Sequence, residues 1–216
     1  MSKFFNWCEK FGYREEGKNP CRFIEKYKET PRQRFLSTDE QETLARTLSK
    51  LESQNRISSY AINAFRLLIL TGARLGEIKT LKWDYVDFQQ GILKLPDSKT
   101  GAKLIYLNDA AKDVLANIIR QTENPYVICG AMPGQHIVNL QKSWRIIRRE
   151  ADMDDVRIHD LRHTFASVAV MEGMSLPVLG ALLGHSQPRT TARYAHLAIN
   201  PLREASNMVG KKLIHS

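Results

Sequence analysis

The stretch ISSYAINAFRLLILTGARLGE, Ile57 to Glu77, decides the fold class. Ile62, Phe65, Leu68 and Ile69 recur at the three- and four-residue spacing of one helix face, so Ile57–Thr71 reads as an amphipathic helix. Gly72 supplies a residue that can turn left-handed and end it. Arg74 follows at once, with a second glycine and Glu77 behind it. Upstream, Ser37-Thr38-Asp39-Glu40 is a helix start, a hydroxyl to cap and acids in the first turn, and Leu44, Leu48 and Leu51 continue at helical spacing. Downstream, Val86–Phe88, Ile92–Leu95 and Lys103–Leu107 are short strands, the last two joined by the turn-forming residues 96–101. Helical patterns follow over Asp109–Gln121, Leu140–Ala151, Asp160–Glu172, Leu176–Leu183, Pro188–Leu197 and Pro201–Val209. The expected fold class is α+β, mainly α-helical, with one small antiparallel sheet.

Composition bounds the function. The chain has 216 residues, 43% hydrophobic and 25% charged, which is ordinary globular usage and excludes dominant disorder. Its longest purely apolar run, Leu67–Leu70, is far short of the ~20 residues of a membrane span. No basic-then-apolar leader with a small-residue cleavage site opens it. Cys8, Cys21 and Cys129 are odd in number and widely spaced, which supports neither a disulfide framework nor a zinc site and fits a reducing cytoplasm. A net charge of +9 points to a polyanionic partner, nucleic acid before an anionic membrane surface. Before Ser37, Ser2–Phe11 is a short helical segment, and Cys21–Leu36 alternates charge with little to form a core, as linkers do.

Four segments place phosphate-friendly side chains at structural punctuation. Arg74 follows a helix-ending glycine. Lys99 sits at the hairpin tip. His159 and Arg162, three apart, share one side of a helix start. Gly184 ends a helix ahead of His185, and Tyr194 lies nine residues on. Each has a plain alternative: a surface arginine at a cap, a solvated turn lysine, a tyrosine that only packs. Together, in this order and in a basic chain, Thr71-Gly72-Ala73-Arg74-Leu75-Gly76-Glu77, Lys99, His159-Asp160-Leu161-Arg162-His163, Leu183-Gly184-His185 and Tyr194 resemble the tyrosine recombinase (phage integrase) family, specifically the catalytic domain of prophage and genomic-island integrases.

The resemblance covers roughly Phe35 to the C-terminus and implies a domain plan. Residues 1–36 would be the end of a core-binding domain plus an interdomain linker, and residues 37–216 the catalytic domain with a C-terminal tail. It implies a site-specific DNA recombinase that cleaves and rejoins strands through a 3′-phosphotyrosyl intermediate, for integration or excision of a mobile element, in the cytoplasm. Tyr194 would be the nucleophile, with Arg74 and Arg162 bracing the non-bridging oxygens through planar donor forks that stay protonated. Lys99 would protonate the departing 5′-oxygen. His159 would accept the tyrosyl proton or hold it in a hydrogen-bond network, and His185 would donate to a non-bridging oxygen. Ser98, Thr100, Arg193 and Lys99 itself are the further DNA-contacting candidates, while Glu77 and His163 are expected to be structural. No cofactor, metal or ATP is implied: one phosphoester replaces another, no G-x-x-x-x-G-K-[ST] loop is present, and the acids show no ligand spacing. The partners implied are double-stranded attachment-site DNA and, in the full synaptic complex, three further copies in a homo-tetramer; a fragment of this length could be monomeric, and no membrane is involved. A type IB topoisomerase, which uses nearly the same chemistry, and a non-catalytic DNA-binding module derived from an integrase are the competing readings.

Overall fold

The computed structural model describes residues 1–25, 27, 34–96, 101–198 and 201–214, without the side chains of 201–205, 208 and 212. Two compact units emerge, Met1–Gln33 and Arg34–Ser216. The first holds helix α1 (Ser2–Lys10), to which the following loop is tied by Asn19, whose amide donates to the Ser2 carbonyl at 3.1 Å. Cys8, Cys21 and Cys129 are free thiols.

The larger unit begins at Arg34. The Arg34 guanidinium donates to Glu40 at 2.9 Å and to Asp155 at 2.8 Å. Leu36 is buried, and its N–H donates to the Thr164 hydroxyl at 2.9 Å. Helix α2 (Thr38–Ser53) then starts on a reciprocal cap, the Ser37 hydroxyl taking the Glu40 N–H while the Glu40 carboxylate takes that of Ser37. Helix α3 (Ser59–Thr71) starts two residues later than its apolar pattern suggests, because the Ser58 hydroxyl caps it by accepting from Ala61. It ends on Gly72 in the left-handed conformation, at φ 62°.

Next come helix α4 (Leu75–Lys79), a 3₁₀ turn (Trp83–Tyr85), and strands β1 (Val86–Asp87), β2 (Ile92–Leu95) and β3 (Lys103–Tyr106). The sheet is antiparallel in the order β1-β2-β3, with Leu93 opposite both Val86 and Ile105. The hairpin tip, residues 97–100, lies outside the described residues. Helix α5 (Asp109–Ala116) stops short of Gln121, where the Asn117 side chain turns back onto the Asp113 carbonyl at 2.8 Å. Helices α6 (Gln141–Glu150), α7 (Ile158–Met171), α8 (Leu176–Leu183), α9 (Pro188–Ala192) and α10 (Pro201–Ile214) complete the chain. The single helix expected over 188–197 is two pieces, α9 and a 3₁₀ turn (Ala195–Leu197), and Tyr194 stands between them.

The main core forms where α3 packs against α5 and α7 and where α2 packs against α6. Phe65 and Trp144 meet there with ring centroids 5.2 Å apart, and the Trp144 indole donates to the Val156 carbonyl at 2.9 Å. Both rings are fully buried, and each such burial contributes roughly 2–3 kcal/mol. A smaller core gathers Ala166, Ala169 and Val170 of α7, Leu179 and Leu183 of α8, and Tyr194.

Gly72 joins the two. A Cβ there would stand 2.6 Å from the Phe165 ring and 2.9 Å from Leu183, on a backbone that L side chains rarely adopt. Gly72→Ala is expected to destabilise the fold by about 2–4 kcal/mol, from the left-handed strain and the overpacking together. Thermal unfolding checks this; an unchanged Tm would mean that α8 moves aside at no cost.

Candidate active site

Two helix ends build the site. Helices α3 and α8 both terminate on left-handed glycines, Gly72 at φ 62° and Gly184 at φ 65°. The last carbonyls of a helix lack intrahelical partners and carry the negative end of its dipole. Guanidinium groups meet that need here. Arg162, in the second turn of α7 and only 5% exposed, donates through Nη1 to the Gly72 carbonyl and through Nη2 to that of Leu183, at 2.9 Å. Arg74, just ahead of α4, donates to the Gly184 carbonyl at 3.4 Å and to Glu77 at 2.9 Å. The two arginines are thus anchored on neighbouring backbone, each with N–H donors to spare.

Glu77 ties a third cation to this pair. Its Oε2 accepts from the Arg74 backbone N–H at 2.8 Å and from Lys103 Nζ at 2.9 Å. Burial works to raise the Glu77 carboxyl, but the Arg74 amide and the Lys103 ammonium outweigh it and hold it below the usual range. Burial is also the main influence on Lys103, lowering its ammonium against the pull of Glu77. The stem of Lys103 lies against Gly184, where a Cβ would come within 2.6 Å of it. Arg162 is itself pushed down to about 10, by burial first and then by Arg74.

The remaining candidates lie on α7 and after α8. His185 follows Gly184, and its Nδ1 is 2.8 Å from the hydroxyl of buried Thr191. Burial, then Arg162 and Arg74, lower its imidazole to about 4, so it is neutral in neutral solution. Tyr194 is 5% exposed, its ring in the smaller core and its hydroxyl 2.6 Å from His163 Nδ1. Burial raises the Tyr194 phenol, and the charges of Arg193 and Arg162 oppose the rise. Exposed Arg193 holds its guanidinium 5.8 Å from the Tyr194 ring. His159 stands at the start of α7, its ring edge-on to that of His163 at 4.9 Å, and desolvation followed by Arg162 lowers its imidazole.

Arg74, Arg162, His185, Glu77 and Tyr194 are therefore linked through contacts or mutual fields around the α3 and α8 termini. His163, expected to be structural, touches the tyrosine hydroxyl, and among the described residues no hydrogen bond joins His159 to it. Lys99, Ser98 and Thr100 lie outside the described residues. Lys103 was missed in the sequence, although the signal is there. Strand β3 buries alternate residues, Lys103 and Ile105, so this lysine occupies a core-facing position. Among the described residues no group of three or more His, Cys, Asp or Glu could hold a metal ion.

Comparison with known proteins places the chain in a family. The model of the phage integrase family matches residues 34–200. The shufflon-specific DNA recombinase of Escherichia coli is 28% identical over 182 residues, covering 83% of this chain and 44% of that protein. The integrase of Salmonella phage P22 is 29% identical over 153 residues, covering 64% of this chain and 40% of that protein. The chain thus spans less than half the length of these curated relatives. Among solved structures, the catalytic domain of bacteriophage HP1 integrase superposes with a TM-score of 0.59 at 25% identity, covering 80% of this chain and 93% of that one.

Proposed function

We propose, since the chain belongs to the phage integrase family, that it carries the strand-cleaving centre of a site-specific DNA recombinase. Tyr194 attacks a DNA phosphodiester in line, forms a 3′-phosphotyrosyl ester and releases a 5′-hydroxyl; the reverse attack by a 5′-hydroxyl rejoins the strand. The observation that carries this reading is a tyrosine hydroxyl held by His163 within the field of Arg162, a guanidinium that two helix ends fix close to Arg74. Fixed donors need no reorganisation as charge grows on the non-bridging oxygens, which is where such a site gains most. Arg74 and Arg162 brace those oxygens, and His185 adds a donor from the neutral imidazole. Lys99, as general acid on the 5′-oxygen, rests on the family resemblance. Exchange between two duplexes requires four copies. The exposure of Val209, Leu213 and Ile214 on α10 supports a tail that docks on a neighbouring copy. No helix among the described residues is long and apolar enough to cross a membrane. A DNA substrate is what places the proposed reaction in the cytoplasm.

The test is covalent capture. The full chain is incubated with a pool of end-labelled duplexes of randomised sequence, each nicked so that cleavage releases a short fragment and blocks rejoining. An adduct that survives denaturation, with a nucleotide on the Tyr194 peptide by mass spectrometry, is expected from the wild type and should be lost in Tyr194→Phe. No adduct from the wild type, or an undiminished adduct from Tyr194→Phe, overturns the reading.

A further inference from the structure

We propose that His163 is a catalytic residue: its Nδ1 receives the Tyr194 proton as the phenolic oxygen attacks, a role the neighbouring His159 does not fill. This rests on the cleavage reading above. His159 and His163 are four residues apart on α7 and so share one face, and spacing gives no means of choosing between them. Geometry does. His163 Nδ1 lies 2.6 Å from the tyrosine oxygen, inside hydrogen-bond reach, while His159 contacts the edge of the His163 ring and is itself exposed to solvent.

The charges around His163 suit it to the task. The titratable groups that face it are Tyr194 and Arg193 from the segment after α9, and His159, Asp160 and Arg162 from its own helix. Burial first, then Arg193 and His159, lower its imidazole to about 4, with Asp160 opposing. His163 is therefore neutral across the neutral range, and with its proton on Nε2 it keeps a lone pair on Nδ1 for the phenol to donate into. At rest the proton stays on Tyr194, whose phenol burial raises above its ordinary value. Transfer becomes favourable as the oxygen–phosphorus bond forms and the phenolic oxygen loses its affinity for the proton. The ledger closes in both directions. In cleavage the Tyr194 proton moves to Nδ1, the new ester forms, and the 5′-oxygen departs with a proton from the general acid. In rejoining the 5′-hydroxyl gives its proton back to the general acid as its oxygen bonds to phosphorus, the phosphotyrosyl bond breaks, and the imidazolium returns its proton to the departing phenolate.

Single-turnover cleavage of the same nicked duplex pool by the full chain, between pH 5.5 and 8.5, tests this. The wild-type rate is expected to be flat, because His163 keeps its lone pair well above pH 4. His163→Ala should be about 10²-fold slower at pH 7, with a rate climbing about tenfold per pH unit as hydroxide takes over proton removal. His163→Asn places an acceptor oxygen where Nδ1 stood but cannot carry the proton, so it should be equally slow with the same climb, while melting near the wild-type temperature. His159→Ala should keep the flat profile, whatever its rate. A wild-type rate in His163→Asn would make His163 only a holder of the hydroxyl and overturn the assignment, as would flat profiles in both His163 variants. Those results fell the histidine assignment alone, whereas a wild type that forms no adduct fells the cleavage reading and the assignment with it.

Discussion

Arg162→Lys is expected to slow formation of the Tyr194–DNA adduct by about 10²–10³-fold, the loss typical of removing one fixed oxyanion donor. Charge is not the whole of what is lost. The guanidinium bridges two helix ends, donating to Gly72 and Leu183 at once, and an ammonium on a flexible stem cannot span both carbonyls and still present a donor fork to a phosphate. The same surroundings hold Arg162 itself down to about 10, and a lysine, with a lower ordinary value, would be carried toward the pH of the assay and lose part of its charge. One buried carbonyl left without a donor costs about 1–3 kcal/mol, so Tm should fall by about 2–12 °C while the chain stays folded. Adduct formation is measured beside thermal unfolding and non-covalent DNA binding. Cleavage within a few-fold of wild type would show that a point charge suffices and that the carbonyl bridge is incidental.

What the sequence disclosed about this site divides along the range of the forces involved. The Ser37 cap, the end of α3 at Gly72 and the end of α8 at Gly184 were legible because capping is local chemistry, written within four residues. The strands were legible from short apolar runs and the turn formers between the last two, which are local signals too. The break at Tyr194 was not. A helical pattern runs through 188–197, and the interruption comes from seating the tyrosine ring among Ala166, Leu179 and Leu183, residues supplied from elsewhere. The roles of the two α7 histidines were unreadable for the same reason: the hydroxyl that distinguishes them is thirty-one residues away in sequence. Arg34 tells the same story from the other side. Its partner Glu40 is close, but Asp155 is 121 residues off, as Thr164 is 128 residues from the Leu36 amide it accepts from.

Lys103 marks the strongest disagreement between residue type and position, and Lys103→Met is the substitution expected to disturb stability most. The ammonium and the Glu77 carboxylate are both nearly excluded from water, with side chains 5% and 6% exposed and 2.9 Å apart. Bringing two such ions inside costs several kcal/mol each, and their attraction roughly repays it, so the pair is weak evidence of net stabilisation. Removing one partner is a different matter. Methionine fills the lysine's volume beside Gly184 but leaves the Glu77 carboxylate with only Arg74 to neutralise it. Breaking a buried pair in this way costs about 3–5 kcal/mol, a Tm drop of about 6–20 °C for a chain of this size. Glu77→Gln added to Lys103→Met discharges the stranded carboxylate, so the double variant should melt above the single one. It should not recover cleavage, because Arg74 then lacks the charge that orients it. Thermal unfolding of the three proteins together with their adduct yields separates the two effects. If the double variant melts no higher than Lys103→Met, the cost comes from packing against Gly184 rather than from an uncompensated charge. If it regains full cleavage, the Gly184 carbonyl alone orients Arg74.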